Sequence, residues 1–294
     1  MKVLQVENLV KTYKKGFKRT APILKSISFN IEAGRVTGFL GSNGAGKTTT
    51  LKCLLDLALP DSGKIVFFEK GALTPELKEQ IGFLPERPYF YEYLTGEEFL
   101  RFYGQLSTNL KAADLNERIK VLLKKVNLSH AGGRALRTYS KGMLQRIGMA
   151  QALVHEPKFI ILDEPMAGLD PDGRIEMYKI IEETAKTGAA VFFSSHLLND
   201  AESLCHNLVI LKHGEVAYTG PTNALLESLH TGYRITYSDS KSLGYGTSTV
   251  ATIADLQKSI DELRKTRSEI LEVRQMRPTL EDAFAKITAG GPGR

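Results

Sequence analysis

The chain has 294 residues, 42% of them hydrophobic and 24% charged, with a formal net charge of +6. That is room for one large and one small domain with a full apolar core, and the longest apolar runs, such as Phe159 to Leu162 and Ala189 to Phe193, are far too short to cross a bilayer as helices. MKVLQVENLVKTYKK at the N-terminus has no apolar core of signal-peptide length, and Cys53 and Cys205 form no C-x-x-C pair; the expectation is a soluble, cytoplasmic protein with two reduced, partly buried thiols.

Residues 1–35 read as strands and turns. Val3, Gln5 and Glu7 alternate with neighbours of different polarity, and Ile27 to Ile31 alternates as well, the period of a half-buried strand. Lys11, Lys14, Lys15, Lys18 and Arg19 form a basic cluster, which reads first as a solvated loop. An anionic lipid surface or help in attracting a nucleotide are the other readings; no base-stacking motif accompanies the cluster, so no nucleic acid is expected. Tyr13 sits just upstream, either packed on an edge strand or exposed for stacking on an adenine face.

Val36 to Leu40 is a strand that feeds GSNGAGKTT, the run Gly41, Ser42, Asn43, Gly44, Ala45, Gly46, Lys47, Thr48 and Thr49. Gly41, Gly46, Lys47 and Thr48 fit the G-x-x-x-x-G-K-[ST] phosphate loop. Glycines let the backbone wrap closely around an anion, and the unpaired N–H groups of the loop and of the first helical turn point at the phosphates. Lys47 supplies a point charge for the β and γ phosphates and Thr48 a hydroxyl for Mg²⁺. A helix over Lys47 to Leu59 carries Leu51, Leu54, Leu55 and Leu57 toward a core and stops at Pro60-Asp61-Ser62-Gly63, a dense turn signal.

Lys64 to Phe68 and Ile81 to Leu84 read as short strands. The stretch that follows is strongly aromatic, with Tyr89, Phe90, Tyr91, Tyr93, Phe99, Phe102 and Tyr103, a composition suited to a core or to a docking groove. Thr95 with Glu98 is a helix-start signature, and Ile119, Leu122, Leu123 and Val126 have helical spacing. Residues 87–155 are thus a mainly helical subdomain inserted between parallel strands, in which Ser140 caps the helix of KGMLQRIGMAQALVH. Phe159 to Leu162 is a strand buried on both faces, ending in Asp163 and Glu164. A loop, PMAGLDP, leads to a helix through Ile175, Tyr178, Ile180 and Ile181. Ala189 to Phe193 is a further buried strand, ending at Ser194-Ser195-His196. Asn207 to Leu211 and Glu215 to Tyr218 read as a hairpin. These elements make residues 1–221 one domain. From 222 to 294 the texture is that of an α+β accessory domain of about seventy residues, ending in GGPGR, the composition of a disordered tail.

Strands alternating with helices, and a phosphate loop on an early strand, imply an α/β core with a largely parallel sheet. Ligands of such sheets sit beyond the carboxyl ends of the strands, so the phosphate loop, Asp163-Glu164 and His196 converge although far apart in sequence. Asp163 then holds Mg²⁺ beside Thr48, Glu164 orients or deprotonates a water, and His196 bonds the γ-phosphate.

With these residues in place, the chain resembles the nucleotide-binding subunit of an ATP-binding cassette (ABC) transporter over nearly its whole length. GSNGAGKTT matches that family's Walker A loop; Phe159 to Glu164 matches its Walker B strand, with the glutamate as catalytic base. Ala167 to Asp170 resembles the D-loop and His196 the switch histidine. Tyr13 falls where the family stacks an aromatic on adenine. Tyr139 to Met143, followed by Gln145-Arg146, sits at the signature LSGGQ, with Tyr139, Lys141 and Met143 replacing Leu, Gly and Gln while Ser140 and Gly142 remain. At the Q-loop position stands Glu86, whose carboxylate can approach Mg²⁺ or the attacking water and adds negative charge beside a triphosphate.

The resemblance implies a P-loop NTPase fold with a mixed sheet, ATP and Mg²⁺ as ligands, and a head-to-tail dimer with a second nucleotide-binding subunit. In that dimer Ser140 and Gly142 of one chain meet the other chain's ATP. It also implies a separate transmembrane permease subunit, whose coupling helix docks at the aromatic stretch after Glu86, and a place on the inner face of the cell membrane. The trailing domain and the ending RPTLEDAFAKIT resemble the ATPase subunits of multidrug, bacteriocin-type or polysaccharide exporters, so export is the expected direction. A soluble cassette ATPase acting on DNA or ribosomes is the alternative; such relatives typically carry a long coiled-coil insert or a second cassette, and neither is found here. A GTPase or small-molecule kinase is disfavoured by the missing N-K-x-D motif.

Overall fold

The computed structural model describes residues 1–15, 18–19, 21–107, 110–229, 232–239 and 244–289. The GGPGR tail lies outside the described residues, as do the side chains of the basic cluster from Lys14 to Arg19. Two compact units are formed, Met1–Pro221 and Thr222–Arg294. In chain order the first unit contains β1 (Lys2–Lys11), the short pair β2 (Lys14–Lys15) and β3 (Lys18–Arg19), β4 (Leu24–Glu32), β5 (Val36–Leu40), α1 (Lys47–Leu54), β6 (Ser62–Phe67), α2 (Pro75–Lys78) and β7 (Ile81–Leu84). There follow α3 (Gly96–Ser107), α4 (Ala112–Lys125), α5 (Lys141–Leu153), β8 (Phe159–Asp163), α6 (Pro171–Lys186), β9 (Ala190–Ser195), α7 (Leu198–Leu204), β10 (Asn207–Lys212) and β11 (Glu215–Pro221). The second unit contains α8 (Thr222–Glu227), β12 (Tyr233–Asp239), β13 (Gly244–Val250), α9 (Ile253–Lys265), β14 (Glu269–Gln275) and α10 (Leu280–Ala289).

A six-stranded sheet of order β11-β10-β5-β9-β8-β7 organises the first unit. Its four pairings from β10 to β7 are parallel, and β11 closes one edge as an antiparallel hairpin with β10. Strands β5, β8 and β9 are buried at every position, which is why they read as unbroken apolar runs rather than alternating ones. A second, antiparallel sheet, β4-β1-β6, has one wet face, and β4 alternates accordingly. The apolar face of this sheet packs on the first through Phe29, Phe39 and Phe192, whose ring centroids lie 5.1–5.7 Å apart. The largely parallel sheet is what the phosphate loop implied, and the antiparallel edge strand makes it the mixed sheet that the resemblance implied.

Helix α1 is shorter than its leucines imply. It ends at Leu54, not Leu59, because Asp56 adopts φ +60 and the chain closes on itself: Leu57 N–H donates to Lys52 O at 2.8 Å and Asp56 N–H to Cys53 O at 3.3 Å. That is a Schellman stop with aspartate in the left-handed position usually taken by glycine. Leu57 is therefore 68% exposed instead of joining the core. Neither cysteine forms a disulfide, and both are buried.

Between β7 and β8 the chain leaves the sheet, forms α3, α4 and α5, and returns beside its starting point, pairing Leu84 with Leu162. Thr95 caps α3: Glu98 N–H donates to its hydroxyl at 3.2 Å while the Glu98 carboxylate accepts from Thr95 N–H at 2.8 Å. Ser140 caps α5 by accepting from Met143 N–H at 3.3 Å. In the second unit, α9 lies on the sheet β13-β12-β14, and Thr279 with Asp282 repeats the reciprocal cap before α10. Among the described residues no helix is long and apolar enough to cross a membrane.

Candidate functional site

Register places the chemistry. In the parallel pair β5–β9, Leu40 stands opposite Ser195; in β8–β9, Asp163 stands opposite Ser194. The residues just beyond, namely Gly41, Glu164 and His196, thus leave the same edge of the sheet, on strands spaced about 4.8 Å apart. Glu86 follows the end of β7 on that edge. A cavity of about 290 Å³ opens there, lined by Ser42, Asn43, Gly44, Gly46, Lys47, Thr48, Thr49, Glu86, Glu164, Ala167 and His196.

The loop from Gly41 to Gly46 is shaped by two glycines with positive φ, Gly44 at +80 and Gly46 at +113. A Cβ on Gly46 would lie 2.7 Å from Leu24 Cδ2, whereas one on Gly44 would meet nothing within 4 Å. Gly46 is thus fixed by packing, and Gly44 leaves its backbone bare toward the cavity. Lys47, the first residue of α1, folds back so that Nζ donates to Gly41 O at 2.6 Å and lies 3.8 Å from Glu164 Oε1. Burial lowers its pKa from the ordinary value; the charges of Glu164, Asp163 and Glu86 pull it back up.

On the opposite wall the Glu164 carboxylate is largely buried, and its Oε2 lies 2.8 Å from His196 Nδ1. Glu164 adopts φ +49, uncommon for a residue with a side chain. Ser194 holds it there: its Oγ accepts from Glu164 N–H at 2.9 Å and donates to Asp163 Oδ1 at 2.6 Å. Burial raises the Asp163 pKa, with the Ser194 hydrogen bond opposing and the charges of Glu164 and Glu86 adding to the rise. A buried carboxylate in that setting is a place where a cation is welcome.

The cavity gathers Ser42, Asn43, Gly44, Gly46, Lys47, Thr48, Thr49, Glu86, Glu164 and His196. Gly41, Ala45 and Asp163 lie buried immediately behind it. Tyr13 is not among the lining residues; it is partly exposed, with Lys11 Nζ 5.2 Å from its ring centroid. Ser140 and Gly142 are also absent from the lining and sit at the start of α5, where Ser140 is exposed. Ala167, the first residue of the D-loop match, lines the cavity; Ser194 is a site residue to which the sequence assigns no role. For Ser194 the only signal was the change from apolar to hydroxyl residues at the end of a buried strand.

Comparison with known proteins places this geometry. Residues 24–167 match the family model described as ABC transporter. An uncharacterized ABC transporter ATP-binding protein of Nostoc sp. is 43% identical over 78% of this chain and 69% of its own length. The linearmycin resistance ATP-binding protein LnrL of Bacillus subtilis is 34% identical over 77% of this chain and 72% of its own. A solved structure of an ATP-binding subunit of an ABC transporter superposes with a TM-score of 0.68 at 31% identity, covering 77% of this chain and 92% of that one.

Proposed function

The chain belongs to the ABC transporter family of ATP-binding proteins, and on that premise we propose that the cavity at the ends of β5, β8 and β9 takes MgATP, with Glu164 as the base of hydrolysis. As a family member the chain is an ATPase subunit that powers transport across a membrane, working with transmembrane partners and as a dimer. Its own residues divide the labour as follows. The bare backbone at Gly44 and the Lys47 ammonium receive the phosphates. Glu164, held between Lys47 and His196, takes the proton of the attacking water, and His196 reads the γ-phosphate. Tyr13 stacks on adenine from outside the cavity.

The donor set fits magnesium. Thr48 offers a hydroxyl, Asp163 a carboxylate whose charge is made costly by burial and by the charges of Glu164 and Glu86, and Glu86 a second carboxylate on the cavity wall. Thr48, Asp163 and Glu86 would hold the ion beside the phosphates. Bound there, Mg²⁺ neutralises charge on the β and γ phosphates.

The exposed start of α5, with Ser140 and Gly142, serves the ATP of a second copy arranged head to tail. Tyr89 and Tyr93, 83% and 87% exposed, with Tyr91 and Phe102, receive the coupling helix of a permease subunit, which places the chain on the inner face of the cell membrane. Export is the direction we infer, supported by the ending RPTLEDAFAKIT and by the resistance for which LnrL is named.

The observation that carries the reading is the placement of Lys47, Glu164 and His196 on one cavity. Glu164→Gln tests it: ATP binding is retained and turnover stalls. Native turnover in that variant would remove Glu164 from the role of base.

A further inference from the structure

Gln145 and Arg146 have no part in the site as described so far. Gln145, on α5, is 5% exposed, and its Nε2 donates to the carbonyl of Pro165 at 3.2 Å. A buried amide bonded to a main-chain carbonyl is a fixed anchor, because breaking the bond strands both groups away from water. Pro165 is the residue after Glu164, whose left-handed backbone has to be held by its surroundings. Ser194 holds the N–H side of Glu164, and Gln145 holds the Pro165–Met166 peptide, one residue beyond it.

The rest of the loop follows the same face of α5. The Lys141 side chain lies over Gly168, where a Cβ would be 2.5 Å from Lys141 Cε. Leu169 faces Gly142, whose Cβ would lie 3.7 Å from Leu169 Cδ2. Arg146 pairs with Glu176 of α6 at 2.5 Å, and Asn127 donates to the same carboxylate at 2.6 Å. Loop 164–170 is thus seated on α5 at three points, and the helix beyond the loop is tied to it by a fourth.

We infer that Gln145 is a positioning residue for Glu164: it carries the placement of α5 to the base of the same chain. The inference rests on the reading of Glu164 given above. Its consequence is a link between sites. The helix whose first turn meets the neighbouring copy's triphosphate also fixes the carboxylate that acts on this chain's own, so engagement at one site is felt at the other.

The test is steady-state ATP hydrolysis by the full chain. Gln145→Met keeps the size and burial of the side chain and removes the donor. The expected result is a kcat lower by about tenfold or more, since small misplacements of a reacting group are costly, with KM for ATP within about twofold of native. In a Glu164→Gln background the same substitution lowers the residual rate no further, because the group it positions is gone. A rise in KM, or an added loss in that background, would mark a merely structural role and overturn the inference, as would a native kcat. Should Gln145→Met fail to fold, Lys141→Ala at an exposed position withdraws the neighbouring contact; a kcat down about threefold at constant KM supports the inference, and an unchanged kcat overturns it. Glu164→Gln assayed alone separates the two readings. Native turnover there sinks the assignment of the base, whereas a stalled Glu164→Gln beside a native Gln145→Met sinks the positioning role only.

Discussion

Ser194 offers the sharpest structural test of the site. Its single hydroxyl joins two strands and both acids, accepting from Glu164 N–H at 2.9 Å and donating to Asp163 Oδ1 at 2.6 Å, and the residue is fully buried. Ser194→Ala removes one hydrogen bond to a charged group, worth about 1.5–3 kcal/mol, and one to a neutral amide, worth about 0.5–1.5 kcal/mol. No water replaces either partner without room for it. The loss of stability is then about 2–4 kcal/mol, and for a unit of this size it lowers Tm by roughly 5–15 °C. Because the chain has no tryptophan, the melt is followed by far-UV circular dichroism, reading the transition of the first unit. Ser203→Ala is the control: its hydroxyl donates to Asn199 O at 3.0 Å at an exposed position of α7, and its removal costs less than about 0.5 kcal/mol. ATP turnover falls in Ser194→Ala because Glu164 loses one of its restraints. A Ser194→Ala protein as stable and as active as the native one would refute the claim that this hydroxyl holds the acid pair in place.

Lys47→Ala removes the ammonium that faces the phosphates and leaves Glu164 without its partner at 3.8 Å; a loss of about 2–4 kcal/mol of binding, or roughly thirtyfold to a thousandfold in Kd for ATP, is expected by titration calorimetry. Glu86→Gln relieves a negative charge on the cavity wall while keeping its shape, so basal hydrolysis stands within about threefold; a complete loss would show that Glu86 does more than approach the ion or water. Burial holds the His155 imidazole below its ordinary pKa, opposed by its bond to Ile81 O at 3.1 Å and reinforced by the Arg118 charge. The unfolded chain therefore takes up this proton first, so the contribution to stability is complete above about pH 6.5 and is lost as the pH falls through the folded value. Urea midpoints at pH 7.5 and 5.5 measure that slope, and His155→Gln flattens it.

The parts of the molecule legible in the sequence are those set by local rules. GSNGAGKTT is read from glycine geometry and one lysine; β8 and β9 are read from apolar runs that only doubly buried strands need; Thr95 and Thr279 announce their helices because their partners are three residues away. Other features carry no pattern that residue spacing reveals. The end of α1 depends on Asp56 taking a left-handed turn, which its leucine spacing hides. Strand β13, Gly244–Val250, has two glycines and no run of buried apolar residues; it exists by pairing with β12, where the Tyr237 ring covers Gly246 and a Cβ there would be 2.5 Å from Tyr237 Cζ, the cover that an aromatic gives a strand glycine. Ser194 and Gln145 act across 31 and 20 residues, so neither carries a local mark of what it holds.

The central claim is that a triphosphate held by Lys47 of one chain is closed over by Ser140 of another. The most direct measurement is the mass of the Glu164→Gln protein in solution, with and without MgATP, against the same protein carrying Ser140→Glu. The account predicts that ATP doubles the mass of the first, and that the second binds ATP yet stays at the mass of one chain, because a carboxylate at the helix start repels the phosphate. An ATP-induced dimer that survives Ser140→Glu unchanged would contradict it.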